Sequence, residues 1–261
     1  MSRPLRQQPY DAYAAGYATR LDPTLAGASA RLTELAGARP GMRLLDVATG
    51  TGTAARAAAR RGASVVGVDR SPGMLAVASE LSPELDFRRA DARALPFKDG
   101  SFDAVTCGLA VSHFADRDRA LREILRVLGP AGRFVASAWG EGSRFPEDGI
   151  DELLDRYGAP APSESLDEAT WQSPERGGSV LRRAGFANVS FRSESFDGNF
   201  ADADEALAWS LGWPLIASRL ERLDSARRER FRRESLQILA GSRLSWRFVF
   251  NFYLANKSGS A

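Results

Sequence analysis

The sequence predicts an α/β fold, a doubly wound and mostly parallel sheet with helices on both faces. Two observations carry the prediction. Between residues 43 and 139, short β-like runs alternate with helical ones, the rhythm of βαβ units. In the first unit, Leu44-Leu45-Asp46-Val47-Ala48-Thr49-Gly50-Thr51-Gly52, a strand runs into a two-glycine turn and a helix begins at once. That arrangement puts a ligand site at the carboxyl edge of such a sheet.

The elements follow in order. Residues 11–36 carry apolar side chains at helical spacing, including Tyr13, Tyr17, Leu21, Leu25, Leu32 and Leu35, and Pro40-Gly41 ends the run. A strand is predicted over 43–48, a helix over 53–61 and a second strand over 64–69. The helix over 72–81 has Ser71 as N-cap and Pro72 at its first position. Strands over 85–90 and 102–108 and a helix over 117–127 come next. Gly129-Pro130-Ala131-Gly132 reads as a turn feeding a fifth strand, 133–139. Beyond Trp139 the rhythm breaks, and residues 140–176 mix Gly, Pro and acids around one helical stretch, 148–157. A helix near 179–184, stopped by Gly185, and a strand over 189–196 restore it. Residues 202–240 read as two amphipathic helices parted at Gly212-Trp213-Pro214, and a seventh strand spans 246–255.

Composition narrows the class. The chain's 261 residues suffice for one α/β domain with a sizeable insertion, and 44% hydrophobic with 26% charged residues excludes general disorder. Lys98 and Lys257 are the only lysines; the arginine bias reads as codon usage rather than as a binding device. A net charge of +2 is too small for a general nucleic-acid or membrane-surface protein. Cys107 is the one cysteine, which excludes an intrachain disulfide or a cysteine-rich metal site. With one histidine and no acidic cluster at ligand spacing, no metal is expected. Met1 to Tyr10 does not read as a signal peptide, and no apolar run approaches the ~20 residues of a membrane helix, so the cytoplasm is the expected location. Residues 258–261 are expected to fray.

The glycine-rich turn admits two ligands. Gly50-Thr51-Gly52-Thr53-Ala54-Ala55 also fits the G-x-G-x-x-G/A pattern of dinucleotide-binding proteins. Against that reading, Asp46 stands just before the turn, where it would repel a pyrophosphate but suit an ammonium group. A further acid, Asp91, follows the third strand; Asp69, ending the second, is shared by both readings because both ligands carry a ribose diol. Singly, Asp46 could be a loop cap and Asp91 a turn residue; at successive strand ends, they form a set.

Several motifs carry a resemblance. Asp46-x-Ala48-x-Gly50-x-Gly52, Val68-Asp69-x-Ser71-x-x-Met74-Leu75, Asp91-Ala92 before Leu95-Pro96-Phe97, Phe102-Asp103-x-Val105, and Glu123-x-x-Arg126-Val127-Leu128-x-Pro130-x-Gly132 stand in the order seen in one family. The chain resembles the class I S-adenosylmethionine-dependent methyltransferases, in particular the quinone-biosynthesis-type group and its small-molecule relatives. Leu181-x-x-Ala184-Gly185-Phe186-x-x-Val189 and Leu254-Ala255-x-Lys257 extend the likeness. Ala48 and Ala131 stand where the family commonly has glycine; alanine is acceptable there if φ is negative.

The resemblance implies a seven-stranded Rossmann-like methyltransferase fold with an N-terminal lid helix and a helical cap. It divides the chain into lid helices (1–40), a cofactor-binding core (41–139), an insertion (140–176), a core continuation (177–200), the cap (201–242), the last core strand (243–257) and a tail (258–261). S-adenosylmethionine is the implied cofactor and S-adenosylhomocysteine its product. The backbone at Ala48, Gly50 and Gly52 would lie against the methionine part and ribose, with Asp46 orienting the amino group through water or loop amides. Asp69 would accept from the ribose hydroxyls with Arg70 beside the adenine. Met74 would pack on that ring, or serve as a core residue of its helix. Asp91 would accept from the adenine amine and the Ala92 amide would donate to a ring nitrogen. Cys107 and Gly108 would offer carbonyls to the methionine ammonium. Tyr17 matches the family's lid tyrosine, whereas Tyr10 and Tyr13 read first as packing residues.

The implied function is methyl transfer to O, N or C of a small organic acceptor by in-line displacement. The alternatives are a protein of this fold that binds the cofactor without methyl transfer, isomerase- or cyclase-like, and an NAD(P)-dependent oxidoreductase. His113, after the fourth strand, is a candidate general base, or simply a pocket residue. Trp139, Trp171, Trp209, Trp213 and Trp246, with Phe145, Phe196 and Phe200, could line an acceptor pocket or form a second core. The arginine-rich stretch 227–234 reads as a solvated helix face with i,i+4 pairs. Beyond a small-molecule acceptor no nucleic-acid partner is expected, and the oligomeric state is left open.

Overall fold

The computed structural model describes residues 8–145, 148–161 and 167–258. Expectations for 1–7, for 146–147 and 162–166 of the insertion and for 259–261 of the tail lie outside the described residues. The seven strands are β1 Arg43–Val47, β2 Ser64–Asp69, β3 Asp86–Arg89, β4 Phe102–Gly108, β5 Leu128–Trp139, β6 Phe186–Asn199 and β7 Ser245–Lys257. They form one sheet in the order β3-β2-β1-β4-β5-β7-β6. Strands β1 to β5 pair in parallel, and β7 runs antiparallel to both β5 and β6. The chain starts mid-sheet at β1, builds outward to β3 and crosses back to β4, so β1 and β4 flank a switch point with a crevice at their carboxyl ends.

Both faces of the sheet are buried, as parallel strands require. Alternate residues sort between two apolar layers: Leu44, Ala104 and Val135 face one, Leu45, Val105, Phe134 and Ala136 the other. The first layer is covered by α3 (Asp22–Leu35), through Leu25, Ala28, Leu32 and Leu35 at helical spacing, and by the alanine face of α4 (Thr53–Arg60). These follow α1 (Gln8–Ala12) and α2 (Ala14–Arg20); α5 is Pro72–Leu81 and α6 is Arg117–Val127. Then come α7 (Asp148–Arg156), α8 (Glu168–Gln172), α9 (Pro174–Arg183), α10 (Ala203–Ser210), α11 (Pro214–Leu220) and α12 (Ser225–Ala240). A 3-10 turn, Val111–His113, follows β4. No helix among the described residues is long and apolar enough to cross a membrane.

The departures from the sequence reading have local causes. The N-terminal run is three helices, because Tyr13 leaves helical geometry at φ −108° and ψ 13°, and Pro23 opens α3 in its first turn. β5 starts at Leu128, five residues before the predicted strand, and Gly129-Pro130-Ala131-Gly132 is an irregularity within it where the register against β4 shifts. Ala131 sits there at φ +58°, not at the negative φ expected. α9 begins earlier, at Pro174, capped by Ser173. β6 is longer than predicted because β7 pairs with it from Phe186 to Asn199. The cap holds three helices, not two: Asp224 makes the second break and accepts from the Arg227 amide at 2.8 Å as the N-cap of α12.

The N-terminal helices are pinned to the sheet edge by two carboxylates. Asp11 accepts from Ser71 Oγ at 2.7 Å and from the Gly73 amide at 3.2 Å, adding negative charge to the N-terminus of α5. Ser71 Oγ in turn accepts from the Met74 amide as the N-cap. Asp22, buried, accepts from Thr51 Oγ1 at 2.8 Å and pairs with Arg56 at 3.3 Å, while Arg56 also donates to the Thr51 carbonyl at 2.6 Å. A methyl group at Gly73 would overlap the Asp11 carbonyl oxygen, so this close approach needs glycine.

Two substitutions test these points. Ala131→Gly relieves a left-handed backbone and is expected to stabilise by up to about 1 kcal/mol, raising Tm by about 2–4 °C in a thermal melt; no rise would contradict the strain. Gly73→Ala, favourable by roughly 0.5–1 kcal/mol in an ordinary helix, should instead lower Tm and speed amide exchange in residues 8–12. An unchanged exchange pattern would show that α1 does not depend on this contact.

Candidate functional site

A cavity of about 480 Å³ opens over the carboxyl ends of β1, β2 and β4. A recess of about 70 Å³ adjoins it, sharing Tyr17, Ala48, Gly50, Gly108 and Leu109. The glycine-rich turn forms the floor. Ala48 lies at φ +56°, not at the negative φ expected of it, and Gly50 at φ +56° has open space where a Cβ would stand. Left-handed geometry at two positions turns the main chain of this loop toward the cavity. Gly52, also expected in the site, lines neither space. It is the N-cap of α4 at φ +85°, and a Cβ there would press on the Phe87 ring at 2.9 Å, so its role is the turn and the packing.

The acids stand at successive strand ends but are held differently. Asp46 is 1% exposed and lines the recess. It accepts from Thr49 Oγ1 at 2.6 Å and Thr106 Oγ1 at 2.7 Å, and burial pushes its pKa up to about 6 against those hydrogen bonds. Its carboxylate is therefore turned to protein hydroxyls. Asp69 lines the cavity and accepts from the amides of Gly50 and Ser71, both at 2.9 Å; burial raises its pKa, with these amides opposing. Asp91 also lines the cavity, but Arg93 holds it through Nη2 at 2.7 Å and Arg70 Nε lies at 3.4 Å. The Arg93 guanidinium keeps its pKa below the usual carboxylate range. Asp91 would thus serve a ligand as one half of an ion pair, which its position in sequence does not reveal.

Arg70, Ala92, Met74, Gly108 and His113 line the cavity as well. Met74 is 2% exposed, so it is both core residue and wall. Cys107 lines neither space; its thiol is buried in the sheet and its pKa is pushed well above the usual range by burial, leaving only the backbone of this residue for the expected role. Gly108 is followed by Leu109 at φ +54°, whose amide donates to the Ser137 carbonyl at 3.0 Å. Tyr17 lies in both walls, T-shaped against Trp213 at 5.9 Å, and burial raises its hydroxyl pKa far above normal. Tyr10 also lines the cavity, edge-on to His113 at 5.9 Å, so it is more than the packing residue expected.

The aromatic residues divide. Trp139, Phe145 and Trp213 line the cavity. Trp171 and Trp209 are buried in the two apolar layers, and Trp246, Phe196 and Phe200 pack with Trp209's layer. Sequence reasoning missed Asp22, Thr106, Ser137, Asp151, Glu168 and Arg219. Thr106 is found only by the β1–β4 register, which sets it opposite Asp46. Arg219 is 3% exposed; it pairs with Asp151 and with Asp155 at 2.7 Å and donates to the Ala159 carbonyl at 2.8 Å, which ties α11 to α7 in the cavity wall. Among the described residues no metal-ligand cluster forms.

These groups fit S-adenosylmethionine: an open main chain at Ala48–Gly50, a carboxylate at Asp69 offset by amides alone, and a buried carboxylate at Asp46 behind the loop. The comparisons agree. The family described as "Methyltransferase domain" matches residues 45–136. The demethylmenaquinone methyltransferase of Beutenbergia cavernae is 36% identical over 172 residues, spanning 60% of this chain and 70% of that protein. That of Renibacterium salmoninarum is 45% identical over 106 residues, 41% of this chain. There the chain spans about half the length of its relative, 45%. The solved structure of the YcgJ protein from Bacillus subtilis shares the fold with a TM-score of 0.59 at 23% identity, covering 90% of this chain and 100% of that one. The chain belongs to the class I S-adenosylmethionine-dependent methyltransferases of the quinone-biosynthesis type.

Proposed function

We propose that this protein transfers a methyl group from S-adenosylmethionine to O, N or C of a small organic acceptor. The observation that carries the reading is the cavity itself. Its floor is an open glycine-rich turn, its rim holds Asp69 and Asp91, and its far wall is aromatic. Bound there, S-adenosylmethionine supplies an electrophilic methyl group. Asp69 accepts from the ribose hydroxyls, and the Asp91–Arg93–Arg70 group receives the adenine beside Met74 and the Ala92 amide. The backbone at Ala48, Gly50, Cys107 and Gly108, with Asp46 behind it, orients the methionine end.

What the chain contributes to the reaction is orientation and dryness. Aligning two reactants can supply about 7–11 kcal/mol of a barrier. Tyr17, Trp139, Phe145 and Trp213 form a wall that would exclude water from an acceptor. His113 stands in the wall edge-on to Tyr10, as a candidate general base or simply a pocket residue. A cytoplasmic location belongs to this reading, as does the division into a lid over 1–40, a core from 41 and a cap over 201–242. Nucleic acid has no place in it. Arg227 and Arg232 are solvated and pair with Asp224 and Asp204, not with i,i+4 partners of their own helix.

Calorimetry with S-adenosylhomocysteine tests the reading directly. Binding by the wild type is expected, and Asp69→Asn should weaken it by about tenfold to a hundredfold, since hydrogen bonds to charged groups are worth about 1.5–3 kcal/mol. A protein that ignores S-adenosylhomocysteine, or an unchanged affinity in Asp69→Asn, would falsify it. The affinity should also depend on pH. Asp46 is protonated below about 6, and a neutral carboxyl attracts an ammonium less, so affinity falls as the pH drops through that value. Asp46→Asn should remove this part of the pH dependence; a wild-type profile in the variant would detach Asp46 from the ligand.

A further inference from the structure

We infer that Glu168, in the cavity wall, receives the proton of an aromatic hydroxyl on the acceptor, an inference that rests on the methyltransferase reading above. Among the described residues, four carboxylates line the cavity: Asp69, Asp91, Asp151 and Glu168. Three are committed. Asp69 is held by the amides of Gly50 and Ser71, Asp91 by Arg93 and Arg70, and Asp151 by Arg219. Among the described residues, Glu168 has no hydrogen bond or ion pair. A half-buried carboxylate held at a cavity wall without a partner is costly unless something else satisfies it. A ligand would.

The position of Glu168 is fixed by its neighbours. Next to it, Asp167 pairs with Arg117, and its amide donates to the Ser112 carbonyl at 3.4 Å beside His113. Three residues on, Trp171 is fully buried, edge-on to Tyr253 at 5.2 Å, with its carbonyl accepting from the Tyr253 hydroxyl and from Asn251 Nδ2 at 3.2 Å. The helix that carries Glu168 is thus anchored on both sides, and the carboxylate stays near the Tyr10 hydroxyl, whose pKa its charge helps to raise after burial. Burial likewise raises the pKa of Glu168, which makes it a better base than an ordinary glutamate.

The chemistry of the walls selects the acceptor group. Phe114, Phe145, Trp139 and Trp213 offer flat apolar surface, which suits an aromatic ring. The arginines of the lining, Arg70, Arg93 and Arg219, are already paired with Asp91 and Asp151. A neutral ring hydroxyl can donate to the carboxylate they leave over, Glu168. In the reaction the O–H bond breaks and its proton passes to a Glu168 oxygen. The freed pair on the ring oxygen forms the new O–C bond, and the pair of the broken C–S bond remains on the sulfur of S-adenosylhomocysteine.

The test uses 4-phenylphenol and its methyl ether, 4-methoxybiphenyl, titrated by calorimetry into protein saturated with S-adenosylhomocysteine. The two probes share the ring system and differ in the donor proton. Wild type should bind the phenol at least about tenfold tighter than the ether, the size expected of a hydrogen bond to a charged group. Glu168→Leu should reduce the preference to within about twofold while leaving S-adenosylhomocysteine affinity unchanged. Glu168→Gln accepts a hydrogen bond but no proton: it should keep part of the binding preference and lose methylation of the phenol by about a hundredfold or more in single turnover. The inference is overturned if wild type binds neither probe or both equally, if Glu168→Leu keeps the preference, if wild type binds the phenol without methylating it, or if Glu168→Gln methylates at the wild-type rate. A wild type that fails to bind S-adenosylhomocysteine sinks the underlying reading instead, and the preliminary titration detects that separately.

Discussion

The structure depends on holding carboxylates at the carboxyl edge of a buried sheet without cancelling their charge. Ionising a group in such a place costs several kcal/mol unless it is solvated by something. Asp46 and Asp69 are solvated by hydroxyls and amides. Dipoles stabilise the charge while leaving its field uncancelled, and the charge of Asp69 adds to the rise in the pKa of Asp46 that burial causes. Asp91, at the less covered edge of the sheet, is instead clamped by arginine. The two central acids can attract a cation; the outer one presents a balanced pair suited to the edge of a planar ring.

The same constraint explains why the N-terminal helices belong to the site. The start of α5 has amides that its own helix cannot satisfy, as helix N-termini do, and side chains take them up: Gly73 donates to Asp11 and Met74 to Ser71. Asp11 and Asp22 reach down from the N-terminal helices to Ser71, Gly73, Thr51 and Arg56. The roof is therefore attached to the two segments that a ligand would touch, and Tyr10 and Tyr17 come into the cavity wall with it. Any ligand that shifts the turn is coupled to the roof through these two carboxylates.

Most of the fold was legible because its signals are local. Ser71-Pro72 marks the start of α5 to the residue, and the alternation of Ser64–Asp69 and Phe102–Gly108 gives both strands as observed. What was not legible depends on pairing partners. The length of β6 is set by β7, and the irregularity at Ala131 by the register against β4. Ala48 and Ala131 read as small residues at ordinary φ, and only the backbone path shows both to be left-handed. In the site, most of the acids and glycines announced themselves by spacing, whereas Thr106 lies just past the Phe102-Asp103-x-Val105 motif and Glu168 comes from a segment that carries none. Gly52 was over-read: the spacing that suggests a ligand contact also serves the turn and the Phe87 ring.

The tryptophans divide between the scaffold and the cavity. Trp171 and Trp209 support the scaffold, so replacing them would act through folding. Trp139 and Trp213 face the cavity from β5 and from the start of α11, near Phe145 in the segment after β5. Trp139, Phe145 and Trp213 thus lie at or beyond the end of β5, whereas Tyr10, Tyr17 and Phe114 come from before it, with Asp69, Asp91 and the glycine-rich turn. In the reading proposed above, the motif-bearing half of the chain would hold the cofactor, and the later half, with α7, α8 and α11, would add to the wall on the acceptor side. The family match over residues 45–136 includes Asp46, Asp69, Asp91 and the glycine-rich turn but none of Trp139, Phe145, Trp213 or Glu168.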